Sequence, residues 1–335
     1  MNKPKKINIA LLGVGVAIIA ATIYYSDPKT VWEYFRKADP IYILFSVISA
    51  NIAVYIYYLA WYILLKDEIS VREAISIGWA SLFLTTVIPT ASVSGEILRL
   101  YLSRKSGVKL GKSAAAIAWH RMLMLAPFLT GFALGLTHLS SGEATIIRNI
   151  IVAAFSLLAL AIIIILVSTS ERYLLKFSNF FSKTLGEKAQ GIDQILSEYI
   201  SSFKAYKEKK LLLLSCLLLG YLSWALNMLP LFLVFKALDM QIPVTLGLFL
   251  YSVIVIITII PFGIPGDAGV RESVMSLTLI SFGFEKSIST AVTILASTLS
   301  TFLNQTITGL VYFLLKARKI MGELSRIQGL SDLES

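Results

Sequence analysis

The sequence predicts an all-α polytopic membrane protein of six full spans plus two re-entrant hairpins, arranged as an inverted-topology repeat. Three observations carry that prediction. The 335-residue chain is 56% hydrophobic and only 15% charged, with a mean hydropathy of +0.77, far from the composition of an ordinary soluble domain. Apolar runs of bilayer length, about 20 residues each, occur at 7–25, 40–65, 113–137, 146–168, 211–236 and 287–315. Between them lie IPTASVSGEILR, from Ile88 to Arg99, and IPFGIPGDAGVR, from Ile260 to Arg271, which interrupt apolar sequence with proline, glycine and charge.

The first span follows Lys3, Lys5 and Lys6 and ends in ATIYYSDPK, a poor match to a signal-peptide cleavage site, so it is expected to remain as a membrane helix. Lysine and arginine accumulate in short cytoplasmic loops. Residues 99–112, 169–210 and the tail from 316 are all basic. Placing them inside with the amino terminus requires 73–98 and 244–285 each to enter and leave by the same face. Their arms are short, 16 residues from 73 to 88 and about 17 on either side of PFGIPGDA, so each reads as a re-entrant hairpin. Two short full spans per hairpin keep the same parity. The expected location is the cell membrane, multi-pass, with both termini cytoplasmic.

The two tips match each other. Each has Ile-Pro, then a glycine beside an acid, then an arginine ten residues after the proline: Pro89, Gly95, Glu96 and Arg99 against Pro261, Gly266, Asp267 and Arg271. Spans 7–25 and 146–168 pair in the same register and cross in opposite directions. A single membrane domain, 1–335, therefore divides into repeat one, 1–137, and repeat two, 146–316, with a cytoplasmic amphipathic insertion at 169–210 and a cytoplasmic tail at 317–335. In the insertion Ile192, Ile195, Leu196, Tyr199, Ile200 and Phe203 recur at helical spacing, which predicts an amphipathic helix lying on the inner leaflet. Inverted repeats with broken helices are an organisation that many secondary transporters share, with a site near the midplane.

Non-helical backbone within a bilayer is tolerated only where protein or a water-filled cavity satisfies its amides. The tip residues Pro89, Gly95, Pro261, Pro265, Gly266 and Gly269 thus imply a cavity. New half-helices are expected near Ser94 and near Asp267, and their free N–H groups favour an anion. Arg99 and Arg271 would stand one to one and a half turns into those arms, placed for charge-assisted contacts to a phosphate. Glu96 and Asp267 precede them by three and four residues on one helical face. Each acid–arginine pair therefore reads either as part of a headgroup site or as a salt bridge neutralising a hairpin end.

Arg121 stands nine residues into a span, where a cation costs about 2.5–3.5 kcal/mol. Either a carboxylate such as Glu96 or an anionic substrate compensates it. His120 reads as a polar packing residue, and Asn227, Asn304 and Gln305 as groups bonding between helices. Tryptophans and tyrosines near span ends read as an interfacial belt.

Several function classes drop out. The single cysteine, Cys216, lies in an apolar run, and His120 and His138 are far apart, so neither an intramolecular disulfide nor a metal site is expected. No cofactor is expected either. The net charge of +10 is explained by topology, and no aromatic–basic module for nucleic acid is visible. No GxxxxGK[ST] loop is present, so transport work would come from a gradient, or the process is passive.

Pro89, Gly95, Glu96 and Arg99, followed by YLSRKSGV, resemble the proline, glycine–acid pair and arginine before a short basic loop in a known family. That family is the flippase-like transmembrane domain of bacterial lysylphosphatidylglycerol synthases and its stand-alone bacterial and archaeal relatives. His120-Arg121 matches its usual Glu-Arg pair, and Pro265, Gly266, Asp267, Gly269, Arg271 and Glu272 match its later signature PGG-x-G-x-RE. The chain departs at His120, where an acid is common, at Asp267, where glycine is common, and at ILASTLST around Ser297, where relatives often carry an arginine. The resemblance implies translocation of an anionic lipid, a phospholipid or a polyprenyl-phosphate-linked molecule, between leaflets. Arg99, Arg121, Arg271, Glu96, Asp267 and Glu272 form the candidate substrate-binding set.

A small-anion secondary transporter fits the same residues. A membrane lipid-pyrophosphate phosphatase also pairs inverted repeats with re-entrant tips, but it needs paired carboxylates and a nucleophile or activated water. No ExxxE pair lies on a span, so no enzyme activity is expected. The sequence ends at Ser335 without a soluble aminoacyl-transferase domain, so lipid aminoacylation is not expected. The expected partners are membrane lipids, with a homo-oligomer and a separate lipid-modifying enzyme as further associations.

Overall fold

The computed structural model describes residues 3–88, 93–136, 170, 190–257 and 263–331, and all the regular structure among them is helical. The tip prolines Pro89 and Pro261, the span 146–168 and most of the insertion before residue 190 lie outside the described residues.

The chain opens with α1 (Lys3–Tyr25), α2 (Pro28–Lys37) and α3 (Pro40–Leu64). Then come α4 (Val71–Val87) and α5 (Val93–Lys105) on either side of the first tip, and α6 (Leu110–Leu136). After the undescribed stretch follow α7 (Gln190–Glu208), α8 (Lys210–Ala237) and α9 (Val244–Ile257). A 3-10 turn at Pro265–Asp267 leads into α10 (Val270–Ser281). The last helix comprises α11 (Lys286–Thr293), a π-helical segment (Ile294–Leu303) and α12 (Asn304–Ser331), with Ile294 and Asn304 both in the right-handed helical region.

Local chemistry sets the helix starts. Asp39 accepts from the Ile41 N–H at 2.8 Å and Pro40 occupies the first turn of α3, a capped and preorganised start. Ser70 accepts from the Glu73 N–H at 3.2 Å to open α4.

Among the described residues, α3, α6 and α8 are long and apolar enough to cross a membrane. Their 25, 27 and 28 residues reach beyond a hydrocarbon core of about 30 Å at about 1.5 Å per residue. Among the described residues the arms beside the tips are shorter: α4 has 17 residues, α5 13, α9 14 and α10 12.

The longest packing seam joins α3 to α8; α4 lies along α12, and α6 lies along α9. Two apolar clusters result. One gathers α3, α4 and the first half of α6 around Trp61, Trp79 and Ala116. The other gathers the end of α8 with α9, α10 and α11 around Phe235, Phe249 and Leu279.

The insertion's amphipathic helix forms as α7, and part of its apolar face packs on α6. Gly111 on α6 admits it, since a Cβ there would come within 2.5 Å of the Ile195 carbonyl and 2.6 Å of the Tyr199 nitrogen. Trp119 stacks on Phe203 at 4.8 Å between ring centroids and donates its indole N–H to the Phe203 carbonyl at 3.1 Å. Ile195, Leu196, Tyr199, Ile200 and Phe203 on that apolar face are half-buried.

Candidate functional site

A cavity of about 330 Å³ lies where the two clusters meet, at the lower end of the range for ligand pockets, about 300–1,000 Å³. Its wall takes Tyr57 and Tyr58 from α3, Ser81 and Thr85 from α4, and Gly95, Glu96 and Arg99 from α5. Arg121 comes from α6, Trp224 and Asn227 from α8, Tyr251 from α9, and Gly266, Asp267 and Arg271 from the second tip and α10. Ser297 and Phe302 of the π-helical segment and Gln305 of α12 complete it. Residues following both tips therefore border one space.

The first tip reaches that space because α5 begins directly against α4. A Cβ at Gly95 would stand 2.6 Å from the Ser81 carbonyl, so the close approach requires glycine. The Ser94 hydroxyl is 3.3 Å from the carbonyls of both Leu84 and Ile88. Val93 and Ser94, near which the half-helix is expected to begin, are helical.

Glu96 is the hub of this half. Its Oε1 accepts from Arg121 Nε at 2.9 Å and Nη2 at 2.5 Å, and its Oε2 accepts from Arg99 Nη1 at 3.4 Å. Of the two compensations open to Arg121, the structure contains the carboxylate. The two arginines differ in access: the Arg99 side chain is 2% exposed and that of Arg121 45%. Arg99 rests on the Trp61 ring at 4.1 Å and its Nη2 lies 3.3 Å from His120 Nδ1.

His120 Nε2 lies 3.0 Å from the Tyr57 carbonyl. A carbonyl only accepts, so Nε2 carries the proton and Nδ1 accepts from Arg99. His120 is thus more than packing. It orients Arg99, a role that the sequence spacing did not disclose. Trp61 likewise belongs to no interfacial belt: it is fully buried and carries a cation on its face.

The second tip departs from expectation. Gly266, Asp267 and Gly269 all have positive φ, at 63°, 51° and 83°, so the half-helix begins at Val270 and not near Asp267. Arg271 consequently stands in the first turn, and Asp267 does not share its helical face. No Asp267–Arg271 ion pair forms; Arg271 Nη2 donates to the Gly266 carbonyl at 3.0 Å. Asp267 lines the cavity; its backbone N–H donates to the Ile264 carbonyl at 3.0 Å, while its carboxylate makes no hydrogen bond or ion pair with the described residues.

Glu272, a candidate substrate ligand by sequence, is 2% exposed and is not part of the cavity wall. It caps α10 by accepting from the Gly269 N–H at 2.7 Å, and it accepts from the hydroxyls of Ser297 at 2.7 Å and Thr298 at 3.3 Å. Pro265 is buried beneath the tip, and Gly269 presses on α1, where a Cβ would come within 2.6 Å of the Gly15 carbonyl. Asn304 accepts from Asn51 across α3 and α12, as an interhelical group should. Asn227 and Gln305 line the cavity instead. Among the described residues no three His, Cys, Asp or Glu side chains gather as metal ligands would.

A helical membrane protein built around an internal cavity bordered by arginines is the class that this fold and site define. The chain belongs to the family of the lysylphosphatidylglycerol synthase transmembrane region, whose family model matches residues 11–309. It is similar to a UPF0104 membrane protein of Pyrococcus horikoshii, 24% identical over 93% of this chain and 97% of that one. It is also similar to UPF0104 membrane proteins of Methanothermobacter thermautotrophicus, 22% identical over 87% of this chain and 90% of that one, and of Archaeoglobus fulgidus, 25% identical over 80% and 85%. No solved structure matches the chain.

Proposed function

We propose that the protein is a flippase-like transporter that moves an anionic lipid, a phospholipid or a polyprenyl-phosphate-linked lipid, between the leaflets of the cell membrane, with both termini cytoplasmic. The observation that carries this reading is the cavity bordered by Arg99 and Arg121 after one tip and Arg271 after the other. A phosphate is the ligand that such convergent guanidinium groups suit. Its acyl or prenyl chains would stay in lipid while the headgroup crosses in the cavity.

The packing supports the inverted repeat that alternating access would use. If α3 corresponds to α8, α4 to α9, and α6 to the last helix, then the contact of α4 with α12 maps onto that of α9 with α6. Arms of 12 to 17 residues, about 18–26 Å at 1.5 Å per residue, suit re-entrant hairpins flanking six full spans.

In this reading the protein is not an enzyme. Glu272 is committed to its cap and Glu96 to two arginines, which leaves Asp267 without a second free carboxylate to work beside. Membrane lipids are its partners, alone or with a second copy or a lipid-modifying enzyme.

Reconstitution into liposomes with labelled phosphatidylglycerol, phosphatidic acid and polyprenyl phosphate tests the reading. Leaflet exchange faster than in protein-free vesicles is expected for at least one of them; no acceleration across the panel would sink it. A cavity of this volume holds a headgroup without its chains, so a free small anion also fits. Uptake of radiolabelled phosphate with no lipid exchange would favour that second reading.

A further inference from the structure

We propose that Glu96 is the protein's own occupant of the seat that a lipid phosphate takes, and that each phosphate bound at Arg121 places one proton on Glu96, so that lipid passage carries a proton. The inference rests on the transport reading above and adds its coupling ion.

The geometry gives Glu96 the part of a bound anion. One carboxylate oxygen holds Nε and Nη2 of Arg121 at 2.9 and 2.5 Å, and the other faces Arg99 Nη1 at 3.4 Å. This is the contact that a phosphate would make with the same side chains. Arg99 is fixed by Trp61 and His120, whereas Arg121 opens on the cavity. A phosphate can therefore reach Arg121 and must share it with, or take it from, Glu96. Two anions crowded on one guanidinium disfavour each other's charge, and a proton on one of them relieves the conflict.

The groups around Glu96 leave it as the proton's destination. On its own helix it faces Arg99, and from α6 it faces Arg121, with His120 behind Arg99. The His120 ring has its one proton committed to Tyr57 and its free nitrogen committed to Arg99. From α3 come the phenols Tyr57 and Tyr58, and α4 presents the hydroxyls Ser81 and Thr85. On the second tip, Asp267 and Arg271 border the same cavity, and Asp267 is the rival acceptor. The proton comes from hydronium in the medium: its O–H bond breaks and leaves water, while an O–H bond forms on the Glu96 carboxylate, and the medium is left one proton poorer.

The test uses the full chain in detergent at pH 7 with a pH indicator and weak buffer, titrated with water-soluble dihexanoyl phosphatidylglycerol while tryptophan fluorescence reports binding. About one proton taken up per lipid bound is expected. Counted per lipid bound, Glu96→Gln should take up no proton and Asp267→Asn about one, whatever either change does to affinity. In liposomes, wild-type exchange should quicken by about tenfold from pH 7 to pH 6, and that of Glu96→Gln should not change with pH. Binding without proton uptake by the wild type overturns the proposal even if no variant folds, as does uptake that survives Glu96→Gln or vanishes in Asp267→Asn. No binding together with no exchange sinks the transport reading itself and this inference with it.

Discussion

Lys316 on the last helix and Glu73 at the start of α4 form an ion pair of 2.5 Å across 243 residues of sequence. The same Glu73 oxygen accepts from the Ser106 hydroxyl at 2.8 Å, so one carboxylate ties α12 to both arms of the first hairpin. Glu73→Ala leaves a half-buried ammonium and a hydroxyl unpaired and should cost about 2 kcal/mol. Lys316→Ala should cost less, because Ser106 still serves the carboxylate. The double variant should resemble Glu73→Ala alone, and thermal unfolding in detergent reads all three. Additive losses would show that the two residues act independently.

Gly95 holds the first hairpin closed. A methyl group there meets the Ser81 backbone and the Thr85 side chain, so Gly95→Ala should lower stability by about 2–3 kcal/mol by overpacking and disturb Glu96 one residue on. Gly13→Ala is the control, since nothing lies within 4 Å of its added Cβ in α1. It should be neutral or stabilise by up to about 1 kcal/mol. Equal behaviour of the two variants would rule out the steric account.

Tyr206 closes the end of α3. Its hydroxyl donates to the Leu64 carbonyl at 2.6 Å, one of the carbonyls that a helix C-terminus leaves without an intrahelical partner. Tyr206→Phe should lower stability by about 1 kcal/mol and speed proteolysis near α7, whose register on α6 this bond helps to set. Unchanged protease resistance would mean that the packing of α7 on α6 holds it without this bond.

Asp267 sits at φ +51° without an ion pair. Replacing it with glycine removes a left-handed side-chain clash worth roughly 1 kcal/mol and breaks no salt bridge, so Asp267→Gly should keep or raise the unfolding temperature. Gly266→Ala should lower it, because φ there is +63° and the Phe302 ring occupies the space. A marked loss of stability in Asp267→Gly would show that Asp267 neutralises Arg271 after all.

Much of the helical framework was legible in the sequence. Apolar runs became α3, α6 and α8, and helical spacing in 192–203 became α7. The Glu96 partnership of Arg121 was also within reach, because a cation in a span demands an anion and Glu96 was at hand. The second tip differs from what its sequence suggests for a local reason. Left-handed residues at 266, 267 and 269 delay the helix to Val270, and that shift turns Glu272 into a cap and parts Asp267 from Arg271. The aromatic run YIYYLAWY of α3 was the signal available for the Arg99 seat, but a residue near a span end looks the same whether it faces headgroups or a buried cation.

The sequence by itself determined that this chain forms apolar helices, where they break and which charges need company. Those properties depend on composition and on residues within a turn or two of each other, and lipid leaves the backbone little alternative to helix. The tertiary structure alone chose Glu96 from the two compensations open to Arg121, and it alone disclosed His120 and Trp61 for Arg99 and Ser297 for Glu272. Each of those pairings joins residues at least 21 positions apart, and proximity at such separation is set by how helices pack rather than by any local preference.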